Sequence, residues 1–172
     1  MNKKTRRLTL SALFSALAFA FLYFSSIWPT GQPGLVAAAS LFVAAAVVEA
    51  GPVYGLYVFL VSSALSLVFT PNRLPTLLYI SFFGHYPIIK SLIERLRMVW
   101  LQWALKLMVF NLSLTACWYA LKELVYDFRG VNVHIALIYL SGSLLFALFD
   151  YGFTKVICFY LNRVPRRGGE NK

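Results

Sequence analysis

A histidine interrupts an apolar stretch that reads YISFFGHYPIIK, where His85 stands between Gly84 and Pro87. A neutral imidazole there can hydrogen-bond a neighbouring helix, or the ring can line the wall of a binding pocket. Metal ligation is disfavoured because no Cys, Asp or Glu stands at ligand spacing around this histidine. A helix with this sequence should bend at Pro87, which removes one backbone hydrogen bond. Gly84 should leave room for a neighbour or a ligand.

A second group of polar side chains lies in the stretch NLSLTACW. Asn111, Thr115 and Trp118 follow the spacing i, i+4, i+7 and therefore share one face of a helix. An amide, a hydroxyl and an indole that face inward could bind a small ligand with polar and aromatic groups. Asn111 on its own is equally suited to hydrogen bonding between helices.

The sequence patterns of an enzyme or an ATPase are missing. The chain has no GxxxxGK[ST] phosphate loop, no HExxH, no GxSxG and no paired Glu-Glu. Cys117 and Cys158 have no paired spacing and are expected to be small buried apolar residues. We therefore expect no catalytic residue, no cofactor and no metal site, and energy from ATP would have to come from partner proteins.

Composition predicts the elements that must position these side chains. Of the 172 residues, 60% are hydrophobic and 13% are charged, whereas a soluble domain has about 45–50% apolar and about 25% charged residues. Long apolar runs recur along the chain, and one membrane crossing needs about 20 such residues. The sequence therefore predicts an all-α polytopic membrane protein.

We predict six transmembrane helices that form a single domain over residues 1–162, followed by a basic tail at 163–172. The expected spans are about 8–28, 34–50, 52–69, 74–91, 99–125 and 133–161. Gly51 and Pro52 should form a tight turn between the second and third spans, since glycine ends helices and proline begins them.

The distribution of charge predicts the orientation of the chain. Six crossings place both termini on one side with eleven lysines and arginines, while the opposite loops hold three, Arg73, Lys122 and Arg129. The positive-inside rule then places both termini in the cytoplasm. The net charge of +10 also fits contact with anionic lipids. Nucleic acid is not an expected partner, because no basic soluble face interleaved with aromatic residues exists.

Asp150 falls deep in the predicted sixth span, in the stretch LFDYGFTKV. A bare carboxylate in lipid is costly, so we expect an ion pair with Lys106, Lys155 or Lys90, or access to water. A proton relay is the alternative, but a second buried acid is lacking.

The first predicted helix contains SALFSALAFA, in which Ala12, Ala16 and Ala20 are four residues apart. These alanines share one helix face and form a stripe with almost no side chain. In lipid, such a face lets two helix backbones approach closely. The partner is either another helix of the same chain or a second membrane protein, and the spacing alone leaves both open.

A basic leader that runs into TRRLTLSALFSALAFA, six predicted spans and cytoplasmic termini in 172 residues together resemble the S components of energy-coupling factor (ECF) transporters, in particular the uncharacterised S-component-like proteins of bacteria. S components capture a vitamin or similar micronutrient from outside the cell. They dock on a transmembrane T component and two ATPases through an AxxxA pattern on the first helix.

The resemblance implies that Ala12, Ala16 and Ala20 dock on the T component and that the protein resides in the bacterial cytoplasmic membrane. It also implies that substrate binds in the outer half of the helices, where Gln32, Tyr79 and Tyr139 are further candidate binding residues. The two tyrosines are weak candidates by themselves, because aromatic residues at the level of the membrane interface also form the belts that anchor a protein there.

The first functional hypothesis is therefore a substrate-capturing subunit of a multi-part importer. The alternative is a non-transporting membrane assembly or regulatory protein, whose mark would be tightly filled helices without a cavity. An intramembrane enzyme is disfavoured by the missing motifs. A stand-alone secondary carrier is disfavoured by the short chain and the lack of inverted repeats.

Overall fold

The computed structural model describes residues 3–28, 30–124 and 135–163, apart from the side chains at 3, 118–124, 135–138, 161 and 163. These residues form helices and no strands, which confirms the all-α prediction. The predicted basic tail lies outside the described residues from position 164 onward.

Seven α-helices and one π-helical segment follow one another in the described part of the chain: α1 (Lys3–Ile27), α2 (Gln32–Ala50), α3 (Pro52–Phe69), α4 (Leu74–Leu78), the π-helical segment (Tyr79–Phe83), α5 (Tyr86–Ile93), α6 (Val99–Leu124) and α7 (Ile135–Arg163). Among the described residues, four stretches are long and apolar enough to cross a membrane: Lys4–Ile27, Gln32–Ala50, Pro52–Phe69 and Tyr139–Tyr160. This is the makeup of a multi-pass membrane protein.

The chain divides into two compact units, Met1–Asn132 and Val133–Lys172. In the first unit α1, α2 and α3 pack on one another, and α4, the π-helical segment and α5 lie against them. The apolar core of this unit consists of fully or almost fully buried side chains: Leu22, Val36, Ala39, Val43, Ala46, Val58 and Tyr79. Most of them come from α2, which is therefore the central helix.

A one-residue turn joins α2 to α3. Gly51 has φ 106°, a backbone conformation that glycine adopts without strain, and its N–H donates to the carbonyl of Val47 over 3.0 Å. Pro52 then begins α3, where its missing N–H has no helical partner to lose. The predicted Gly51-Pro52 turn is confirmed.

Hydroxyl side chains are buried throughout the first unit. In α1 two pairs of buried serines flank the buried residues Ala18 and Leu22, and in α3 a group of buried serines follows the buried Val58. The buried serines of α1–α3 are Ser11, Ser15, Ser25, Ser26, Ser40, Ser62, Ser63 and Ser66. Several donate to a carbonyl of their own helix, as Ser15 does to Ser11 over 2.8 Å and Ser62 to Val58 over 2.7 Å. This local bond lets a small polar residue pack in an apolar interior.

The second unit is described by α7 alone. Phe146, Asp150 and Phe153 are its buried residues, and the rings of Phe149 and Phe153 lie 5.3 Å apart. The hydroxyl of Thr154 donates to the backbone carbonyl of Asp150 over 2.7 Å.

Close packing of α2 on α3 at Gly55 gives a testable prediction. A Cβ at this position would overlap a methyl group of Val47 and lie 3.5 Å from Ile88. Gly55→Ala should therefore lower the stability, because overpacking costs about 1–3 kcal/mol and exceeds a helix-propensity gain of up to about 1 kcal/mol. Thermal unfolding in mild detergent measures the effect.

Gly152→Ala is the matched control, since this glycine is also inside a helix and a Cβ there meets nothing within 4 Å. It should leave the unfolding temperature unchanged or raise it. Equal behaviour of the two variants would mean that α2 and α3 are not in close contact at Gly55.

Candidate functional site: the interrupted fourth segment

The predicted fourth span is interrupted by the π-helical segment, in which backbone hydrogen bonds join residues five apart instead of four apart. The N–H of Gly84 donates to the carbonyl of Tyr79, five residues earlier, over 2.7 Å. π-Helical turns inside α-helices are rare and occur frequently at functional sites. The segment that carries His85 is therefore the natural centre of a candidate site.

The break in this segment falls at Gly84 and His85, and Pro87 lies in the first turn of a new helix, α5. Our expectation of a helix bent by a proline in its interior was wrong. The N–H groups of Ile88 and Ile89 donate to the carbonyl of His85 over 3.1 and 3.2 Å and start α5. Proline is favoured in a first helical turn because no acceptor is waiting for its N–H.

Gly84 gives room to a neighbouring ring. A Cβ at this position would lie 2.5 Å from a ring carbon of Phe59 in α3 and 2.9 Å from a ring carbon of Tyr79. Real Cβ contacts are never that short, so Phe59 can pack against the break only because residue 84 is glycine. The neighbour that the sequence predicted at this glycine is Phe59.

His85 is half-buried and hydrogen-bonds through both ring nitrogens. Nδ1 lies 3.1 Å from the carbonyl oxygen of Ile80, and Nε2 lies 3.5 Å from the hydroxyl of Ser113 in α6. Because a carbonyl oxygen only accepts, Nδ1 must carry a proton. In the neutral ring Nε2 is then an acceptor, to which Ser113 can donate. The ring also meets the edge of Phe59, with 6.2 Å between centroids.

One face of α6 makes the contact with the interrupted segment. The rings of Phe82 and Phe110 lie 5.4 Å apart at 86°, and Ser81 hydrogen-bonds the thiol of Cys117. Together with Ser113, the residues Phe110 and Cys117 are spaced three to four apart and line up along α6. This contact face reaches the Nε2 side of His85 through Ser113, while the Nδ1 side is held by the carbonyl of Ile80 in the same segment.

Asn111 and Thr115 lie on another face of α6. They are two residues away from Ser113, a rotation of about 200°, so the structure does not bring them to His85. Asn111 donates to the carbonyl of Leu107 over 2.9 Å, and Thr115 donates to the carbonyl of Asn111 over 2.7 Å. The Oδ1 atom of Asn111 is buried and has no hydrogen-bond partner within the described part of the chain. The side chain of Trp118 lies outside the described residues.

The remaining predicted binding residues are dispersed. Tyr79 is fully buried, and its hydroxyl lies 2.9 Å from the hydroxyl of Ser62, which makes it part of the core. It nevertheless shares a neighbour with His85, since its ring lies 5.9 Å from that of Phe59. Gln32 is half-buried at the start of α2, and Tyr139 is half-buried in the second unit. The binding role of these residues stays a prediction.

An ion-pair cluster that the sequence analysis did not assemble lies where α5 meets α6. One carboxylate oxygen of Glu94 is 3.1 Å from the ammonium of Lys90 and 2.9 Å from that of Lys106. Both lysines are buried, whereas the Glu94 side chain is 41% exposed. The i, i+4 spacing of Lys90 and Glu94 could have signalled the first pair. The pairing of Asp150 with Lys106, Lys155 or Lys90 stays a prediction.

An open groove of about 560 Å³ lies at the turn between α1 and α2. Its wall is largely apolar and is formed by Phe24, Trp28, Thr30, Gly31, Gly34 and Leu35. The groove is next to Gln32 in sequence and contains none of the other predicted binding residues.

The two hydrogen bonds of His85 lead to a prediction about its role. His85→Leu keeps the volume but leaves the carbonyl of Ile80 and the hydroxyl of Ser113 without the ring, so it should lower the free energy of unfolding by about 1–3 kcal/mol. His85→Asn places an N–H where Nδ1 was and should retain most of the stability. Thermal unfolding of the three proteins in detergent makes the comparison.

If the leucine variant is as stable as the parent, the histidine is not a hydrogen-bonded element of the break. If His85→Leu and His85→Asn lower the stability equally, the hydrogen bond from Nδ1 to the carbonyl of Ile80 does not contribute to the stability.

Comparison of the chain with family models, with curated proteins and with solved structures finds no match.

Proposed function

We propose that the chain is the substrate-capturing membrane subunit of an ECF-type importer for a vitamin or a similar small micronutrient. In this proposal it crosses the bacterial cytoplasmic membrane six times with both termini in the cytoplasm. A transmembrane T component and ATPase subunits are its partners and supply the energy. The chain itself catalyses no reaction.

The position of the alanine stripe on α1 is the observation that carries the proposal. Ala12 and Ala16 are exposed and Ala20 is half-buried, and the serines at 11 and 15 point into the bundle instead. Ala12 and Ala16 therefore lie outside the internal packing face of α1, which supports the docking interpretation of the stripe over the packing one. A smooth exposed face on a membrane-crossing helix is suited to close contact with a second membrane protein.

Exposed leucines border the stripe on α1. Leu13 is 55% exposed and Leu17 is 39% exposed. At 100° per residue both lie beside the alanines, on the side away from the buried serines. Alanines flanked by larger apolar side chains form a shallow groove along the helix, into which a ridge of another helix can fit.

The basic residues of the first unit support the proposed orientation. Arg7 lies over the ring of Tyr54 at 5.9 Å, so the start of α1 is next to the start of α3. Short connections make successive long helices run in opposite directions, and the connector with Arg95 and Arg97 is then at the same end. The other end carries Arg73. This asymmetry is what the positive-inside rule expects of a cytoplasmic end.

The groove between α1 and α2 supports a route for substrate from outside. It lies at the end opposite to the basic residues, which is the outer end in the proposed orientation. Phe24 and Trp28 offer it apolar and aromatic walls, and sites for small molecules are built largely from such side chains. We propose it as the entrance to the binding site.

A non-transporting assembly or regulatory protein is the second candidate. Tyr79 has no exposed surface and its hydroxyl is engaged by Ser62, which favours a tightly filled interior. Both candidates use the alanine stripe for contact with another protein. They differ in whether that partner brings ATPases and whether a nutrient accumulates in the cell.

The alanine stripe gives the central prediction. Ala16→Trp should abolish copurification of the T component and the ATPases and should reduce nutrient uptake at least about tenfold, because a bulky side chain keeps the helices apart. Ala64→Trp is the matched control, since this alanine of α3 is also exposed. It should change neither measurement.

Undisturbed uptake and copurification in the Ala16→Trp protein would refute the importer proposal. Copurification of a membrane partner without ATPases, lost in the Ala16→Trp protein, would instead favour the assembly protein.

A labelling experiment tests the proposed orientation. In a chain with Cys117 and Cys158 replaced by alanine, Thr30→Cys should react with a membrane-impermeant maleimide in intact cells. Leu96→Cys should react only after the cells are opened, because the connector between α5 and α6 is proposed to be cytoplasmic. The reverse pattern would invert the topology.

A further inference from the structure

Exposed basic and apolar side chains stand side by side at the junction of α5 and α6. The residues that follow Glu94 are Arg95, Leu96, Arg97, Met98, Val99, Trp100, Leu101, Gln102 and Trp103. We call residues 95–103 the interfacial segment. It includes the connector and the first turn of α6.

The two arginines are the free charges of this segment. Arg95 and Arg97 are both exposed, and neither makes an ion pair or a hydrogen bond through its guanidinium within the described part of the chain. The neighbouring acid, Glu94, is already engaged by Lys90 and Lys106. The outward charge of the segment is therefore positive, and its guanidinium groups suit phosphate, which they bind through two parallel hydrogen bonds.

The apolar residues next to these charges are also exposed. Trp100 is 71% exposed, and Met98, Val99 and Trp103 are exposed as well. In contact with water this patch would be unfavourable in proportion to its exposed apolar area. Tryptophan is enriched at the level of lipid headgroups because its ring is amphipathic.

The backbone of the segment is held in place. The N–H groups of Arg95 and Leu96 donate to carbonyls of Leu92 and Ile93, and the side-chain amide of Gln102 donates to the carbonyl of Leu96 over 2.7 Å. The arginines on either side of Leu96 therefore project from a fixed turn against α6. Little ordering is needed when a ligand binds such a surface.

We propose that the interfacial segment is a binding site for an anionic phospholipid, with Arg95 and Arg97 on the headgroup phosphate and Trp100 and Trp103 among the upper acyl chains. A phospholipid can bind both parts of the surface at once, because its phosphate pairs with the arginines and its acyl chains cover the apolar patch. A soluble phosphate compound would leave the exposed tryptophans in water. The site is independent of the importer proposal and needs only a membrane at this end of the helices.

Tryptophan fluorescence tests the site in the full-length protein. Trp28→Phe and Trp118→Phe together leave emission from Trp100 and Trp103 only. The protein is reconstituted in two vesicle preparations with the same mixture of phosphatidylcholine and phosphatidylglycerol. Bromine atoms on the acyl chains quench tryptophan fluorescence. In one preparation the phosphatidylcholine is brominated, and in the other the phosphatidylglycerol is brominated.

Phosphatidylglycerol should be enriched at the two tryptophans by about fivefold or more, since each basic residue near a membrane surface favours anionic lipid by roughly that factor. Arg95→Gln with Arg97→Gln should return the quenching ratio to one. Arg95→Lys with Arg97→Lys should keep the enrichment because it keeps the charge, and this pair controls for folding. Arg73→Gln, one charge removed at the opposite end, should have no effect.

Equal quenching by both lipids in the parent protein overturns the proposal, as does an enrichment that survives the double glutamine substitution. Inorganic phosphate supplies a third test against sodium chloride of matched ionic strength. If phosphate removes the enrichment and chloride does not, the arginines bind free phosphate and the lipid assignment is overturned.

Discussion

The absence of water in a bilayer is the constraint on which this structure depends. Every backbone N–H and C=O inside the hydrocarbon region has to find a partner within the protein. The interrupted fourth segment satisfies its backbone groups with partners of its own. Gly84 donates to the carbonyl of Tyr79 across a π-helical turn, and the imidazole of His85 donates to the carbonyl of Ile80. The break is thereby closed by its own residues.

The same constraint explains the hydroxyl-rich interior of the first unit. Serine is almost as small as alanine, so helices can approach closely at serine positions, and its hydroxyl can donate to a carbonyl on its own helix. Ser63 and Ser66 are exceptions, because their hydroxyls have no hydrogen-bond partner within the described residues. Ser62 donates to the carbonyl of Val58 and also reaches the hydroxyl of Tyr79 on the interrupted segment. A local bond and a bond between helices are thus combined in one side chain.

Local sequence signals predicted the fold where only neighbouring residues are involved. Gly51 and Pro52 specify their turn by backbone geometry alone, and the boundaries of α2 and α3 follow from that turn and from the length of the apolar runs. The position of Pro87 within its helix was predicted wrongly, because a proline in an apolar run is compatible with a kink inside one helix and with the first turn of a new helix. The sequence does not show that the π-helical segment interrupts the helix before this proline.

The candidate site was less predictable because it depends on rotation between helices. The spacing of Asn111 and Thr115 correctly predicts that they share a face of α6. It does not predict which face of α6 is turned toward His85. One additional residue in a helical turn rotates everything after it by about 100°, and the π-helical segment adds such a residue before His85. Ser113 is consequently its partner in α6. The orientation of α1 was hard to predict for a similar reason. Both its serine stripe and its alanine stripe consist of small side chains, so the sequence does not show which of the two faces the interior of the bundle.

The one-residue turn at Gly51 has a consequence for the freedom of the two helices that it joins. With α2 ending at Ala50 and α3 beginning at Pro52, no spare chain lies between the two helix ends, so neither helix can slide along its own axis without drawing the other with it. At this end α2 and α3 are therefore tethered as a hairpin, and any rearrangement of one helix has to involve the other.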